Sequence, residues 1–280
     1  MVDIIHVIIL AIVQAITEFL PISSDGHLVF FQKVMNMKDA SLFLDLVLHM
    51  GTLLAVIIYF FRDLMNILID GLSATGELLQ GQKPSDIMYR NPNLKLFFYV
   101  IIATIPACLV GFFLLKPIEA TFNSFWITGV CFLFTGLVVL LTKKFQANDG
   151  KNLNDLKFGD AIWIGVAQSL ALLPGVSRSG MTISTALFRG LNRDLAFRFS
   201  FIMSIPAILG AFVLKLKDNM HELHNGRIWI YIIGAFVSFV LGLLVIRILS
   251  RIILRGNFYL FAYYSFFIGI LTLILSIWIK

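Results

Sequence analysis

Along the 280-residue chain, apolar stretches of similar length alternate with short polar gaps. Six of them, at about 42–61, 96–115, 124–142, 196–214, 228–249 and 258–279, each hold close to 20 mostly apolar residues. A helix rising ~1.5 Å per residue needs about that many to cross the ~30 Å hydrocarbon core of a bilayer, so each predicts a spanning helix. Two further apolar segments break. Residues 4–20 run into Pro21 and Ser23-Ser24-Asp25-Gly26-His27 before a short apolar piece at 28–35, and residues 160–173 run into Pro174-Gly175 and Ser177-Arg178-Ser179-Gly180 before another at 181–189. These second limbs are too short to cross. Each pair predicts a re-entrant helix–turn–helix, tolerated at membrane depth only where protein or a water-filled cavity surrounds the break. The first segment does not read as a removable signal peptide, because it lacks a basic start and a small-x-small cleavage site and carries Gln14 and Glu18 within the apolar run.

The two broken segments match at a constant offset of 154 positions: Gln14 with Gln168, Ser23 with Ser177, Gly26 with Gly180. Ile8 and Ile162 keep the same offset, and Pro21 is one place off Pro174. The pattern predicts an all-α integral membrane protein, a polytopic helical bundle of two repeats in one membrane domain. Residues 1–145 form the first repeat, 146–157 a cytoplasmic connector and 158–280 the second, each repeat a re-entrant pair plus three spans. Three is odd, so the second repeat is inverted relative to the first. The loops that this topology places on one side, 62–95, 143–158, 189–198 and 247–255, carry fourteen of the 22 Lys and Arg, against seven on the other side. The richer side is cytoplasmic by the positive-inside rule. The first broken segment then enters from the outer face and the second from inside, with their tips meeting near the midplane. Many transporters build substrate sites this way, which keeps an inverted-repeat transporter in play.

Composition agrees with a lipid solvent. The chain is 59% hydrophobic and 14% charged, with a mean hydropathy of +0.91, whereas soluble domains run about 45–50% apolar and about 25% charged. A soluble single core, a disordered chain, a coiled coil and a disulfide scaffold are excluded on these grounds. The net charge of +6 does not predict a nucleic-acid partner, since the bases stand singly between apolar runs rather than in a patch. Cys108 and Cys131 lie in apolar runs without a second ligand at zinc spacing and read as packing residues.

Few residues at depth are ionisable, and such residues mark function by default. Gln14 and Glu18 are four apart on one helix face and can converge on one ion or ligand. The bland alternative places Glu18 at a helix end in the interface. In Pro174 to Thr182, glycines allow close backbone approach, hydroxyls donate hydrogen bonds, and Arg178 offers a planar fork of donors. Together they describe a cradle for a phosphate or diphosphate. His27 closes the first turn and can serve as nucleophile or proton carrier. His6 and, for the most part, His49 read as hydrogen-bonded packing residues, and His221 and His224 belong to a charged loop.

The sequences Gln14-x-x-x-Glu18-Phe19-Leu20-Pro21-Ile22-Ser23-Ser24-Asp25-Gly26-His27 and Pro174-Gly175-Val176-Ser177-Arg178-Ser179-Gly180-Met181-Thr182 resemble the two signature motifs of the bacterial undecaprenyl pyrophosphate phosphatase family, the bacitracin-resistance type. The resemblance extends through Leu48-His49-Met50-Gly51 and Phe199-Ser200-Phe201 over essentially the whole chain. It implies hydrolysis of undecaprenyl pyrophosphate to undecaprenyl phosphate and inorganic phosphate. This recycles the lipid carrier for peptidoglycan synthesis, in the bacterial inner membrane with the site open to the outer, periplasmic face. The alternative class is a polyprenyl-phosphate lipid flippase or inverted-repeat transporter. By the resemblance, His27, Glu18, Arg178 and Ser24 are catalytic, with nucleophile among His27, Ser24 and an activated water left open. Ser23, Ser177, Ser179, Thr182 and Gly175 bind substrate. Glu18 with Gln14 positions a divalent cation, Mg2+ or Ca2+, or a water, and Asp25 of this sequence is a further candidate metal ligand. Gln14 stands where many members have Glu, and Asp25 stands where a small neutral residue is expected. The implied partners are a polyprenyl diphosphate, membrane lipid and, for oligomeric state, a homodimer.

Overall fold

The computed structural model describes residues 3–37, 42–145, 150–219 and 228–278. Within them the apolar runs form α1 (Ile4–Thr17), α2 (Ser24–Val34), α3 (Leu42–Tyr59), α4 (Phe61–Leu79), α5 (Pro84–Arg90), α6 (Pro92–Phe113), α7 (Leu115–Thr121), α8 (Phe125–Leu141), α9 (Phe158–Leu170), α10 (Arg178–Phe188), α11 (Arg193–Asn219), α12 (Ile228–Leu254) and α13 (Phe261–Ser276). Among the described residues there is no strand, only an isolated bridge between Lys151 and Leu191. The starts follow local chemistry. Pro84 and Pro92 sit in the first turns of α5 and α6, where a missing N–H costs nothing. Ser124 and Ser177 accept N–H groups at the starts of α8 and α10.

Among the described residues five helices are long and apolar enough to cross a membrane: Pro92–Phe113, Phe125–Lys144, Arg193–Leu214, Ile228–Leu254 and Phe258–Ser276. The expected span at 42–61 qualifies as a sixth only when Phe43–Tyr59 is joined to Phe61–Leu79 across a 68° bend. Outward faces are apolar along their length. Phe97, Ile101, Ile105 and Leu109 on α6 and Ile232, Phe236, Val240, Leu244 and Ile248 on α12 are all exposed at every fourth position. Apolar stripes of that extent match lipid rather than water, and the chain is a multi-pass membrane protein.

Parts of the predicted loops are helical. Residues 62–95 hold α4, α5 and the start of α6, and 116–123 falls largely in α7. The reason is local: α4 carries exposed Phe61, Met65, Leu68, Ile69 and Leu72 along one stripe, with Arg62, Asn66 and Ser73 on another. The predicted loop at 215–227 begins later, since α11 continues to Asn219, and the expectation for His221 and His224 lies outside the described residues. The helix breaks fall where the prolines place them. However, α2 and α10 begin within the polar turns, at Ser24 and Arg178, rather than after them.

Helices approach closely at small residues, since lipid tails provide no hydrophobic drive between helices and packing must supply it. A Cβ on Gly51 of α3 would lie 2.2 Å from the Ala235 carbonyl oxygen of α12, and one on Gly165 of α9 would lie 2.3 Å from that of Ala103 of α6. Gly129 of α8 and Gly269 of α13 face each other's carbonyls in the same manner. The connector is tied down by Asp160, a fully buried carboxylate that takes Lys151 Nζ at 3.1 Å and Arg189 Nε at 2.8 Å.

Gly51→Ala and Gly165→Ala are each expected to destabilise the protein by about 1–3 kcal/mol, since a carbonyl must move to admit the methyl group. Gly71→Ala in α4, where nothing lies within 4 Å of the added methyl, is expected to leave the thermal midpoint in detergent unchanged or slightly raised. Equal midpoints for all three variants would contradict this packing.

Candidate active site

The breaks between α1 and α2 and between α9 and α10 lie against each other. Gly175 has φ of +94°, a conformation that glycine adopts without strain, and a Cβ there would sit 2.4 Å from the Thr128 carbonyl oxygen. Ser23 adopts φ of +67° without being glycine, and such strain persists only where the surroundings over-determine it. The surroundings here do. Ser23 Oγ accepts the Gly26 N–H of its own helix start at 3.3 Å and the Gly175 N–H of the other turn at 3.2 Å. Ser179 Oγ donates to the Leu20 carbonyl at 3.1 Å. Thr135 of α8 donates its hydroxyl to the Gly175 carbonyl and accepts the Ser177 N–H.

At this crossing Glu18 gathers the polar groups. It is 8% exposed. Its Oε1 accepts Arg178 Nη2 at 2.7 Å, and its Oε2 accepts the Ser24 hydroxyl at 2.5 Å and the Gln14 amide at 3.1 Å. Charge-assisted hydrogen bonds of this kind are the strong ones. The Arg178 guanidinium also lies over the Phe201 ring, 5.8 Å from its centroid. Arg178 Nη1 and Gln14 Oε1 are buried with no hydrogen-bond partner. An orphaned cationic donor beside a carboxylate-bound serine is an open place for an anion's oxygen.

His49 reads in the sequence mostly as a hydrogen-bonded packing residue, and the structure adds that it faces the site. Its Nδ1 donates to the Asp45 carbonyl at 2.7 Å, which turns Nε2 toward Glu18 Oε2 at 3.4 Å and Asp25 Oδ1 at 3.6 Å. An ionisable residue inside a span was the available signal. No local pattern links it to a turn more than 20 residues earlier.

The expected site residues therefore separate into groups. Glu18, Gln14, Ser24 and Arg178 make direct contact, and Asp25 joins them across His49. Ser23, Ser177, Ser179 and Gly175 form the crossing itself, with Ser177 Oγ capping the Gly180 N–H at 3.1 Å. Thr182 lies a turn further along, bonded to the Arg178 carbonyl and to Ser200 Oγ. His27 is held apart, with Nδ1 on the Ser23 carbonyl at 2.7 Å and Nε2 on the Tyr264 hydroxyl at 2.8 Å. Among the described residues no three His, Cys, Asp or Glu side chains are arranged to hold a metal ion. Both Glu18 oxygens are already taken by N–H and O–H donors, so Glu18 itself offers no free oxygen of the kind Mg2+ or Ca2+ binds, while Gln14 Oε1 remains unpartnered.

Fold and site together define a polytopic helical membrane protein whose serine, carboxylate and arginine meet between two helix breaks. The chain belongs to the family whose model is described as bacitracin resistance protein BacA, which matches residues 7–271. It is similar to proteins named undecaprenyl-diphosphatase from Korarchaeum cryptofilum, 41% identical over 272 residues, covering 97% of this chain and 98% of that one. The protein of that name from Methanobrevibacter smithii is 38% identical over 276 residues (98% of each). The one from Alkaliphilus metalliredigens is 38% identical over 273 residues (96% of this chain, 98% of that one).

Ser23→Ala is expected to destabilise more than Ser23→Gly. Both lose the hydroxyl that caps α2 and holds Gly175, worth about 0.5–2 kcal/mol, but only glycine relieves the positive φ. Thermal denaturation of the two variants in detergent checks the order, and a less stable glycine variant would contradict it.

Proposed function

We propose that the protein is an undecaprenyl-diphosphatase, hydrolysing undecaprenyl pyrophosphate to undecaprenyl phosphate and inorganic phosphate within the membrane. Family membership supports the reaction, and the contact of Glu18 with both Ser24 and Arg178 carries the assignment of the site. In the reading we favour, Ser24 Oγ attacks the terminal phosphorus while Glu18 takes its proton. The bond from that phosphorus to the bridging oxygen breaks, and undecaprenyl phosphate leaves with the electron pair. Glu18 gives up the proton to the departing oxygen and then accepts one from the water that attacks the phosphoserine; the bond from phosphorus to Ser24 Oγ breaks, inorganic phosphate leaves, and Glu18 returns the proton to Ser24 Oγ. Arg178, with Nη1 unpartnered, neutralises the oxygens of the transferring group. Such charge stabilisation is worth most where water is excluded, and Glu18 is almost wholly buried.

The divalent cation implied by the resemblance would draw on Glu18, Gln14 and Asp25; both Glu18 oxygens are held by Arg178, Ser24 and Gln14 while Gln14 Oε1 is unpartnered, and no step is routed through the cation. We place the protein in the cytoplasmic membrane of a bacterium with the site open to the outer face, supported by the excess of Lys and Arg on the opposite side. The two inverted repeats also belong to this proposal. Their support is the recurrence of contacts at the 154-residue offset: Ser23 and Ser177 each cap the N–H three residues on. Ala11 of α1 and Gly165 of α9, also 154 apart, meet α12 at Ser238 and α6 at Ala103, respectively.

Phosphate release from undecaprenyl pyrophosphate by the purified protein tests the reading. Ser24→Ala and Arg178→Ala are each expected to lower the rate on the order of 10²-fold or more while the protein stays folded. Wild-type rates in both variants would overturn the site, and lipid movement across sealed vesicles without phosphate release would overturn the reaction in favour of a flippase.

His49→Ala is expected to lower kcat/KM by roughly tenfold, with His49→Gln closer to wild type because its amide can still reach the two carboxylates. Unchanged kinetics in His49→Ala would show that the histidine only packs.

A further inference from the structure

His27 has both ring nitrogens committed in a way that fixes its chemistry. The Ser23 carbonyl oxygen, 2.7 Å from Nδ1, can only accept, so Nδ1 carries the hydrogen. The ring is 1% exposed, stacked on Tyr264 with centroids 5.6 Å apart at 11° and met edge-on by Phe132 at 5.1 Å. In a neutral ring Nε2 then accepts, and the Tyr264 hydroxyl at 2.8 Å donates to it. The same Ser23 carbonyl also accepts the His27 backbone N–H at 3.3 Å. His27 therefore grips the strained Ser23 peptide at two points, one residue before Ser24.

From this geometry we propose that Tyr264 is a positioning residue of the active site, holding His27 in its Nδ1–H tautomer so that the ring clamps Ser23 and sets Ser24 against Glu18. The proposal rests on the phosphatase reading above. It assigns His27 to holding the turn, since the lone pair a nucleophile would use is occupied by the Tyr264 hydroxyl. It also gives α13 a part in the reaction, because Tyr264 lies 237 positions from its partner and belongs to neither helix break.

Tyr264→Phe keeps the stacked ring and removes only the hydroxyl. Nitrogen NMR of the His27 ring, assigned by comparison with His27→Ala, is expected to show hydrogen on Nδ1 and none on Nε2 in the wild type, and a share of the Nε2–H form in Tyr264→Phe. In the phosphate-release assay the same variant is expected to lose roughly 3–10-fold in kcat, the factor carried by one neutral hydrogen bond, with KM unchanged. The hydroxyl loss is expected to cost nothing further in a His27→Ala background, because the tyrosine acts through the histidine. A wild-type ring protonated on Nε2, an unchanged kcat in Tyr264→Phe, or full additivity of the two substitutions would each overturn the proposal. Absence of phosphate release by the wild type would instead overturn the phosphatase reading, with the tautomer measurement still reporting on the Tyr264–His27 contact.

Discussion

Two helix breaks inside the bundle of a membrane protein leave backbone groups that need partners, and here each break finds them largely in the other. Gly175 N–H on Ser23 Oγ, Ser179 Oγ on the Leu20 carbonyl and Arg178 on Glu18 all run from one turn to the other. Unpaired in hydrocarbon, each of these groups would cost several kcal/mol. The rest of the molecule serves this crossing. Thr135 of α8 satisfies a carbonyl and an N–H of the second turn with one hydroxyl, and close packing at Gly51 and Gly165 brings α12 and α6 against the helices that carry the site.

The 154-residue offset places Ser24 and Arg178 at equivalent positions, each the first residue of its second limb. Glu18 bonds to both. Its own counterpart is Leu172, and that of His27 is Met181. One turn thus supplies the carboxylate and hydroxyl while the other supplies the cation, and the two shapes make one site rather than two. This division suits a diphosphate, whose transfer calls for a nucleophile on one side of the phosphorus and positive charge on its oxygens.

Polar residues that the sequence grouped together as substrate ligands do unequal work. Ser23, Ser177 and Ser179 spend their side chains on capping and on joining the turns, and Thr182 reaches Ser200. Two atoms stand open beside Glu18, Arg178 Nη1 and Gln14 Oε1. Hydroxyls next to strained backbone are first needed to hold that backbone, and the groups left over are the ones free to meet a ligand.

Five of the six spans, the two breaks and the candidacy of Glu18 and Arg178 were legible in the sequence alone, because hydropathy over ~20 residues, proline position and charge in apolar runs are local properties, whereas Ser24 entered through the resemblance of its motif. The helix at Leu115–Thr121 was missed within a predicted loop, and of Phe61–Leu79 the sequence shows an amphipathic stretch from Leu64 to Gln80 but not where it lies, since a polar gap between spans reads alike whether it coils or lies along the membrane surface. Tertiary structure alone decided which faces meet. The Arg178–Glu18 pair joins residues 160 positions apart and the His27–Tyr264 contact residues 237 apart, while His49 comes from a span that neither motif includes. Periodicity tells which side of a helix is polar, but the partner of that side is set by helix packing, where small residues permit close approach and buried polar groups must find one another.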